Sequence, residues 1–142
     1  MPAPSTISDC MRRNPLTIQM DANLVQAIET IVEYKLTGLT VTDDEGNAVG
    51  ILSELDCIKG VLTALYNEGD PEHALVRDSM STDLATCAPT DGIVEVAQAM
   101  LDTRQRRRPV LENGKLVGQV SSSNILWALM EHSRRKLFNT RK

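Results

Sequence analysis

Aromatic residues make up only 3% of this 142-residue chain (one Phe, two Tyr, one Trp), so its core must be mostly aliphatic. The same scarcity leaves few rings for base stacking, and with a net charge of −4 it argues against nucleic acid as a partner. His73 and His132 are the only histidines and leave little material for a metal cage or a nucleophile–base pair. Cys10, Cys57 and Cys87 form neither a close pair nor a CxxC, so no disulfide framework and no zinc site is indicated. Each reads as a small buried hydrophobe. No apolar run is long enough to span a bilayer, and the first five residues do not lead from a basic cluster into an apolar stretch. The expectation is a soluble, cytoplasmic protein without membrane association. A Walker-type loop and a cluster of general acid and base are also missing, so the chain reads as no enzyme, with no metal and no required cofactor.

What is present is a duplication. Gly50-Ile51-Leu52-Ser53-Glu54-Leu55-Asp56 returns as Gly118-Gln119-Val120-Ser121-Ser122-Ser123-Asn124, with the glycines, the hydroxyls and the Asp/Asn pair each 68 positions apart. Upstream, Asp9-Cys10-Met11 recurs as Asp78-Ser79-Met80 and Leu16-Thr17-Ile18 as Ala85-Thr86-Cys87, both at an offset of 69. The slip of one residue falls where Asp44-Glu45-Gly46-Asn47 faces the shorter Asn113-Gly114, in a turn that absorbs a length change at little cost. Two halves of about 70 residues would each be marginal alone and need a mate to cover their apolar faces.

Within each half the pattern reads helix, strand, helix, strand, strand, helix, an α/β (α+β) class. In the first half Ser5 opens a helical turn through Met11, and Pro15 precedes a short strand over Leu16-Thr17-Ile18. Leu24, Ala27, Ile28 and Ile31 then recur at helical spacing behind Asp21 or Asn23 as N-cap. Strands follow over residues 39–42 and 48–52, and Ser53 starts the last helix. The boundaries expected are 1–66 for the first repeat, 67–74 for a polar linker with Gly69 and Pro71, 75–136 for the second repeat and 137–142 for a basic tail. The second half predicts a strand over residues 85–87, a helix from near Ile93, a hairpin about Asn113-Gly114 with its type I′ signature, and a helix from about Ser123.

Ser53-x-x-Asp56 fits the pattern in which a hydroxyl and a carboxylate satisfy free N–H groups at a helix start. The functional reading stands beside it. A glycine permits close backbone approach, a helix N-terminus attracts anions, Ser53 can donate to a phosphate oxygen, and Asp56 can accept from both hydroxyls of a ribose. Phosphate plus cis-diol spells a nucleotide.

These residues resemble the cystathionine β-synthase (CBS) domain family, whose repeats carry D-x-M, then P-x-T, then G-h-h-[ST]-x-x-D. Here they are Asp9-Cys10-Met11, Pro15-Leu16-Thr17 and Gly50 to Asp56, with Asp78-Ser79-Met80, Arg108-Pro109-Val110 and Gly118 to Asn124 in the second half. The resemblance implies two small sheets with flanking helices, packed with pseudo-two-fold symmetry as a Bateman module with two clefts. It also implies AMP, ADP, ATP or S-adenosylmethionine as ligand and a homodimer formed through the helices. Carried over residue by residue, it sets Ser53 against phosphate, Asp56 against ribose, and Thr17, Ile18, Leu39 and Thr40 around the base. Ser121 and Asn124 hold the matching places in the second half, with Thr86, Cys87, Arg108 and Pro109.

Two departures stand out. Asn124 lacks the charge of the family's Asp, and Thr40 replaces the Pro that Pro109 supplies. The run Arg104-Gln105-Arg106-Arg107-Arg108 either complements a helix C-terminus in water or brings Arg107 or Arg108 to a ligand phosphate. The expected function is a stand-alone regulatory module that binds an adenine nucleotide and acts in trans on an unidentified client. The alternative is a ligand-independent dimerisation or adaptor module.

Overall fold

A computed structural model describes residues 4–67 and 69–141, the side chains of residues 135–141 excepted. The basic segment 137–142 therefore lies outside the residues whose side chains are described. In chain order the elements are β1 (Arg12–Arg13), β2 (Thr17–Gln19), α1 (Leu24–Glu33), β3 (Gly38–Thr42), β4 (Ala48–Ser53), α2 (Glu54–Tyr66), α3 (Val76–Ser79), α4 (Ile93–Thr103), β5 (Arg107–Glu112), β6 (Lys115–Ser121) and α5 (Ser122–Arg141). Short 3-10 turns cover Ile7–Asp9 and Pro71–His73.

The chain divides into two compact units, one contiguous, Leu16–Leu84, and one composite, Met1–Pro15 with Ala85–Lys142. The contiguous unit holds a sheet of order β2-β3-β4, with β2 parallel to β3 and β4 antiparallel to it. The composite unit holds a sheet of order β1-β6-β5, antiparallel throughout. The two-residue strand β1 escapes a reading of hydrophobic pattern, because both of its residues are exposed arginines and only its backbone pairs with β6.

The duplication reappears as packing. In the contiguous unit Leu24, Ala27 and Ile31 turn one face of α1 onto Val41 and Leu52. In the composite unit Ile93, Val96 and Met100 of α4 cover Val110 and Val120 in the same way. Among the described residues these aliphatic cores use no aromatic side chain. Asn23 rather than Asp21 caps α1, its side-chain oxygen accepting from Val25 N–H at 2.7 Å. At the first turn Thr6 is the N-cap rather than Ser5, and Asp9 Oδ2 accepts from the N–H groups of Ser5 and Thr6 at 2.9 and 3.1 Å.

The stretch expected to link the halves is built into the contiguous unit. Leu24 N–H donates to the Ala74 carbonyl and Val76 N–H to that of Ala22, both at 2.9 Å, and the Asn23 side-chain amide donates to the Glu72 carbonyl. The strand expected over residues 85–87 is reduced to a bridge, in which Cys87 N–H donates to Pro109 O at 3.0 Å and Leu111 N–H to Cys87 O at 2.8 Å. Proline is the reason. The next rung of a parallel ladder would need an N–H at Pro109 directed to Ala85 O, and proline has none. Thr40, the matching residue of β3, keeps its N–H, and there β2 runs as a full strand. Asn113 and Gly114 both have positive φ, 53° and 81°, as the type I′ hairpin requires.

Candidate ligand-binding site

Register decides which residues share a face. In the contiguous unit Leu39, Val41 and Leu52 belong to the core face, and Ile18, opposite Val41, packs against the same cluster. The second face of that sheet therefore carries Thr17, Thr40 and Ile51 in one row, extended to Ser81 by an isolated bridge between Ile51 and Ser81, with Gly38 opposite Ser53 beside it. The composite sheet repeats the plan. Cys87, Arg108, Val110 and Val120 lie on its core face, whereas Pro109, Gln119 and Arg12 form a row on the second face, with Arg107 opposite Ser121.

The candidate residues thus fall into two groups. Thr17, Thr40 and Ser53 share the second face of one sheet, and Arg107, Pro109 and Ser121 that of the other, with Thr86 one residue before Cys87. Ile18, Leu39 and Cys87 are turned to the cores. Arg108 also takes the core side: it is buried, and its guanidinium donates to Gln105 Oε1 at 3.0 Å and Thr103 Oγ1 at 3.3 Å. Burial pushes the Cys57 and Cys87 thiols up to about 11, so both are neutral near pH 7 and neither is a ready nucleophile or metal ligand. No group of His, Cys, Asp and Glu among the described residues could hold a metal ion.

At the start of α2, Asp56 N–H donates to Ser53 Oγ at 3.1 Å and Ser53 N–H donates to Asp56 Oδ2 at 2.9 Å. The start of α5 repeats this atom for atom, with Asn124 N–H to Ser121 Oγ at 3.1 Å and Ser121 N–H to Asn124 Oδ1 at 3.0 Å. Both pairs are reciprocal caps that satisfy free amides of the first turn. Capping does not use up their chemistry. All four residues are half-buried, and each carboxylate or amide has a second polar atom. Asp56 lines a concavity of about 410 Å³ together with Lys59, Gly60, Thr63, Asp78 and Ser79. It lies between α2 and residues 74–80, and none of Thr17, Thr40 and Ser53 lines it.

The glycine of each heptapeptide serves the chain's own packing. A Cβ on Gly50 would stand 2.7 Å from Met80 Sδ and 2.8 Å from the Ser81 carbonyl oxygen. One on Gly118 would stand 2.8 Å from Met11 Sδ and 3.0 Å from the Arg12 carbonyl oxygen. The repeated Asp-x-Met segments and the repeated glycines are therefore two halves of one contact. Sequence spacing gave no sign of it, since the partners are 30 positions apart in one unit (80 − 50) and 107 in the other (118 − 11). Arg12 and Ser81, equivalent residues on the second faces, were hidden for the same reason.

No helix among the described residues is long and apolar enough to cross a membrane. The CBS domain family model matches the chain twice, over residues 7–63 and 76–131. An uncharacterized protein of Methanocaldococcus jannaschii is 26% identical over 120 residues, covering 84% of this chain and 41% of that protein. The chloroplastic CBS domain-containing protein CBSX2 of Arabidopsis thaliana is 27% identical over 157 residues, covering 91% of this chain and 65% of its own. The chain thus spans between two fifths and two thirds of the length of these curated relatives. A crystal structure of CBSX2 in complex with AMP superposes with a TM-score of 0.79 at 27% identity, covering 92% of this chain and 99% of that one.

Proposed function

Because the chain belongs to the CBS domain family, we propose that it is a cytoplasmic regulatory module that binds AMP, ADP or ATP on the second faces of its two sheets and acts on a client protein. The observation that carries the reading is the pair of matching helix starts. Ser53 with Asp56 and Ser121 with Asn124 hold a hydroxyl and a hydrogen-bonding side chain beside a helix N-terminus, where an anion is favoured. AMP in the CBSX2 complex is consistent with an adenosyl ligand here. Ligand regulates by preferring one of two states of the module, since affinity equal for both would shift nothing.

The informative variant is Asp56→Asn. Asn124 already forms the same reciprocal cap in the composite unit, so the substitution keeps the cap and removes only the charge that accepts a ribose diol. The expected outcome in calorimetry is AMP affinity lower by about tenfold, the worth of a charge-assisted bond over a neutral one, with thermal stability of the free protein unchanged. Equal affinity in the variant refutes the ribose contact, and absence of heat from AMP, ADP and ATP with the parent refutes the reading as a whole.

A second reading, assembly through the helices without ligand, is favoured by a different observation. A groove of about 340 Å³ between α1 and α2 is lined by Ile28, Val32, Ile58 and Leu62, and one of about 210 Å³ between α4 and α5 by Leu101, Leu126 and Leu129. Leu55, Leu101 and Leu126 are 76%, 73% and 64% exposed, apolar side chains that a partner helix face would cover. We propose a homodimer that covers these faces, compatible with either function.

A further inference from the structure

The two second faces occupy equivalent positions in the duplication and differ sharply in charge. Arg12 of the composite unit takes the place of Ser81, since Arg12 pairs with Gln119 as Ser81 pairs with Ile51. Arg107 opposite Ser121 takes the place of Gly38 opposite Ser53, and Asn124 that of Asp56. Over these positions the composite face carries a charge of +2 and the contiguous face −1. The first turn of α5 holds no acidic residue, whereas that of α2 holds Glu54 and Asp56.

We infer that the two faces are specialised: Arg12 and Arg107 make the composite face the seat of a nucleoside polyphosphate, while the contiguous face takes the adenosyl part without demanding phosphate. This rests on the proposed nucleotide binding and names the ligand class for each face. Arg12 and Arg107 lie two strands apart and two residues along, about 12 Å between Cα atoms by ordinary sheet spacings. Arg12 is exposed and Arg107 half-buried, and Ser121 with the N-terminus of the 20-residue α5 lies beside Arg107. A row of phosphates reaching from the helix start toward β1 meets a guanidinium at each end, and guanidinium matches phosphate oxygens bidentately. On the contiguous face the same phosphates meet no guanidinium at the equivalent positions, and the carboxylate of Asp56 repels them.

Calorimetry with ATP, ADP, AMP and adenosine on the parent, on Arg12→Ser, on Arg107→Gln and on the double variant tests this. Arg12→Ser installs the residue that the duplication already uses at this register, so β1 keeps its pairing. Each single variant is expected to lose about tenfold in ATP affinity and the double about a hundredfold, with adenosine affinity unchanged. Parent ATP binding is expected to weaken as salt rises, because Arg12 meets its phosphate at an exposed position. Retained adenosine binding shows that a variant is folded. An ATP-to-adenosine ratio unmoved by the double variant overturns the specialisation and leaves the proposed function standing. A parent that binds none of the four overturns both.

Discussion

Replacing Gly50 by Ala tests whether the repeated motifs are packing partners. The added Cβ would lie 2.8 Å from the Ser81 carbonyl oxygen, a backbone atom that itself accepts from Ile51 N–H at 2.9 Å. Ser81 N–H donates back to Ile51 O at 2.9 Å, so the segment moves away only by stretching both bonds. Overpacking of this kind costs about 1–3 kcal/mol, against about 0.4–1 kcal/mol gained because alanine has fewer unfolded conformations to lose. The net loss is about 1–2 kcal/mol, a Tm lowered by about 3–8 °C in a chain of this size. Gly118→Ala is expected to cost less, because its closest contact at 2.8 Å is Met11 Sδ, the flexible end of a side chain, and the Arg12 carbonyl oxygen is at 3.0 Å. Thermal and urea melts measure both. Paired backgrounds sharpen the test: Gly118→Ala should lose most of its cost beside Met11→Ala, whereas Gly50→Ala should keep most of its cost beside Met80→Ala. An unchanged or raised Tm in Gly50→Ala, or relief by Met80→Ala as complete as by Met11→Ala, refutes the account.

Two further outcomes follow from the structure. The Ser5 N–H, then the Thr6 N–H, hold the Asp9 carboxyl below its ordinary 3.8. Its contribution to stability is therefore present above pH 3.8 and is lost as pH falls through the lowered folded value, so Asp9→Asn should flatten the acid limb of a stability–pH curve. In sedimentation, a Leu62→Glu/Leu126→Glu variant, charged in both apolar grooves, should run as a monomer where the parent runs as a dimer. A parent that is monomeric at high concentration removes the dimer.

Much of the fold was legible because the chain states it twice. The apolar spacing of α1 and α4, the hairpin at Asn113-Gly114 and the helix starts with a hydroxyl followed three residues on by Asp or Asn each follow from local chemistry. Long-range partnership was not legible. An offset of 69 reveals that residues 9–11 and 78–80 are copies, but not that the residues following the first copy pair with β6 and Ser81, following the second, with β4. Pro109 was read as part of the motif, yet its missing N–H is what shortens the neighbouring strand to a bridge. Arg107 and Arg108 were inseparable in sequence. Strand alternation separates them, one on each face of β5.

The composite membership of the second unit bears on how the chain emerges from a ribosome. Leu16–Leu84 is continuous, so everything it needs is available once those residues have left the exit tunnel. Arg12 and Arg13 leave before that unit but find their strand partners only at Gln119 and Gly118, more than a hundred residues later. During that interval β1 stays without its sheet. Order of manufacture and order of completion are inverted, and one half of the duplication has to be held open until β6 has been made.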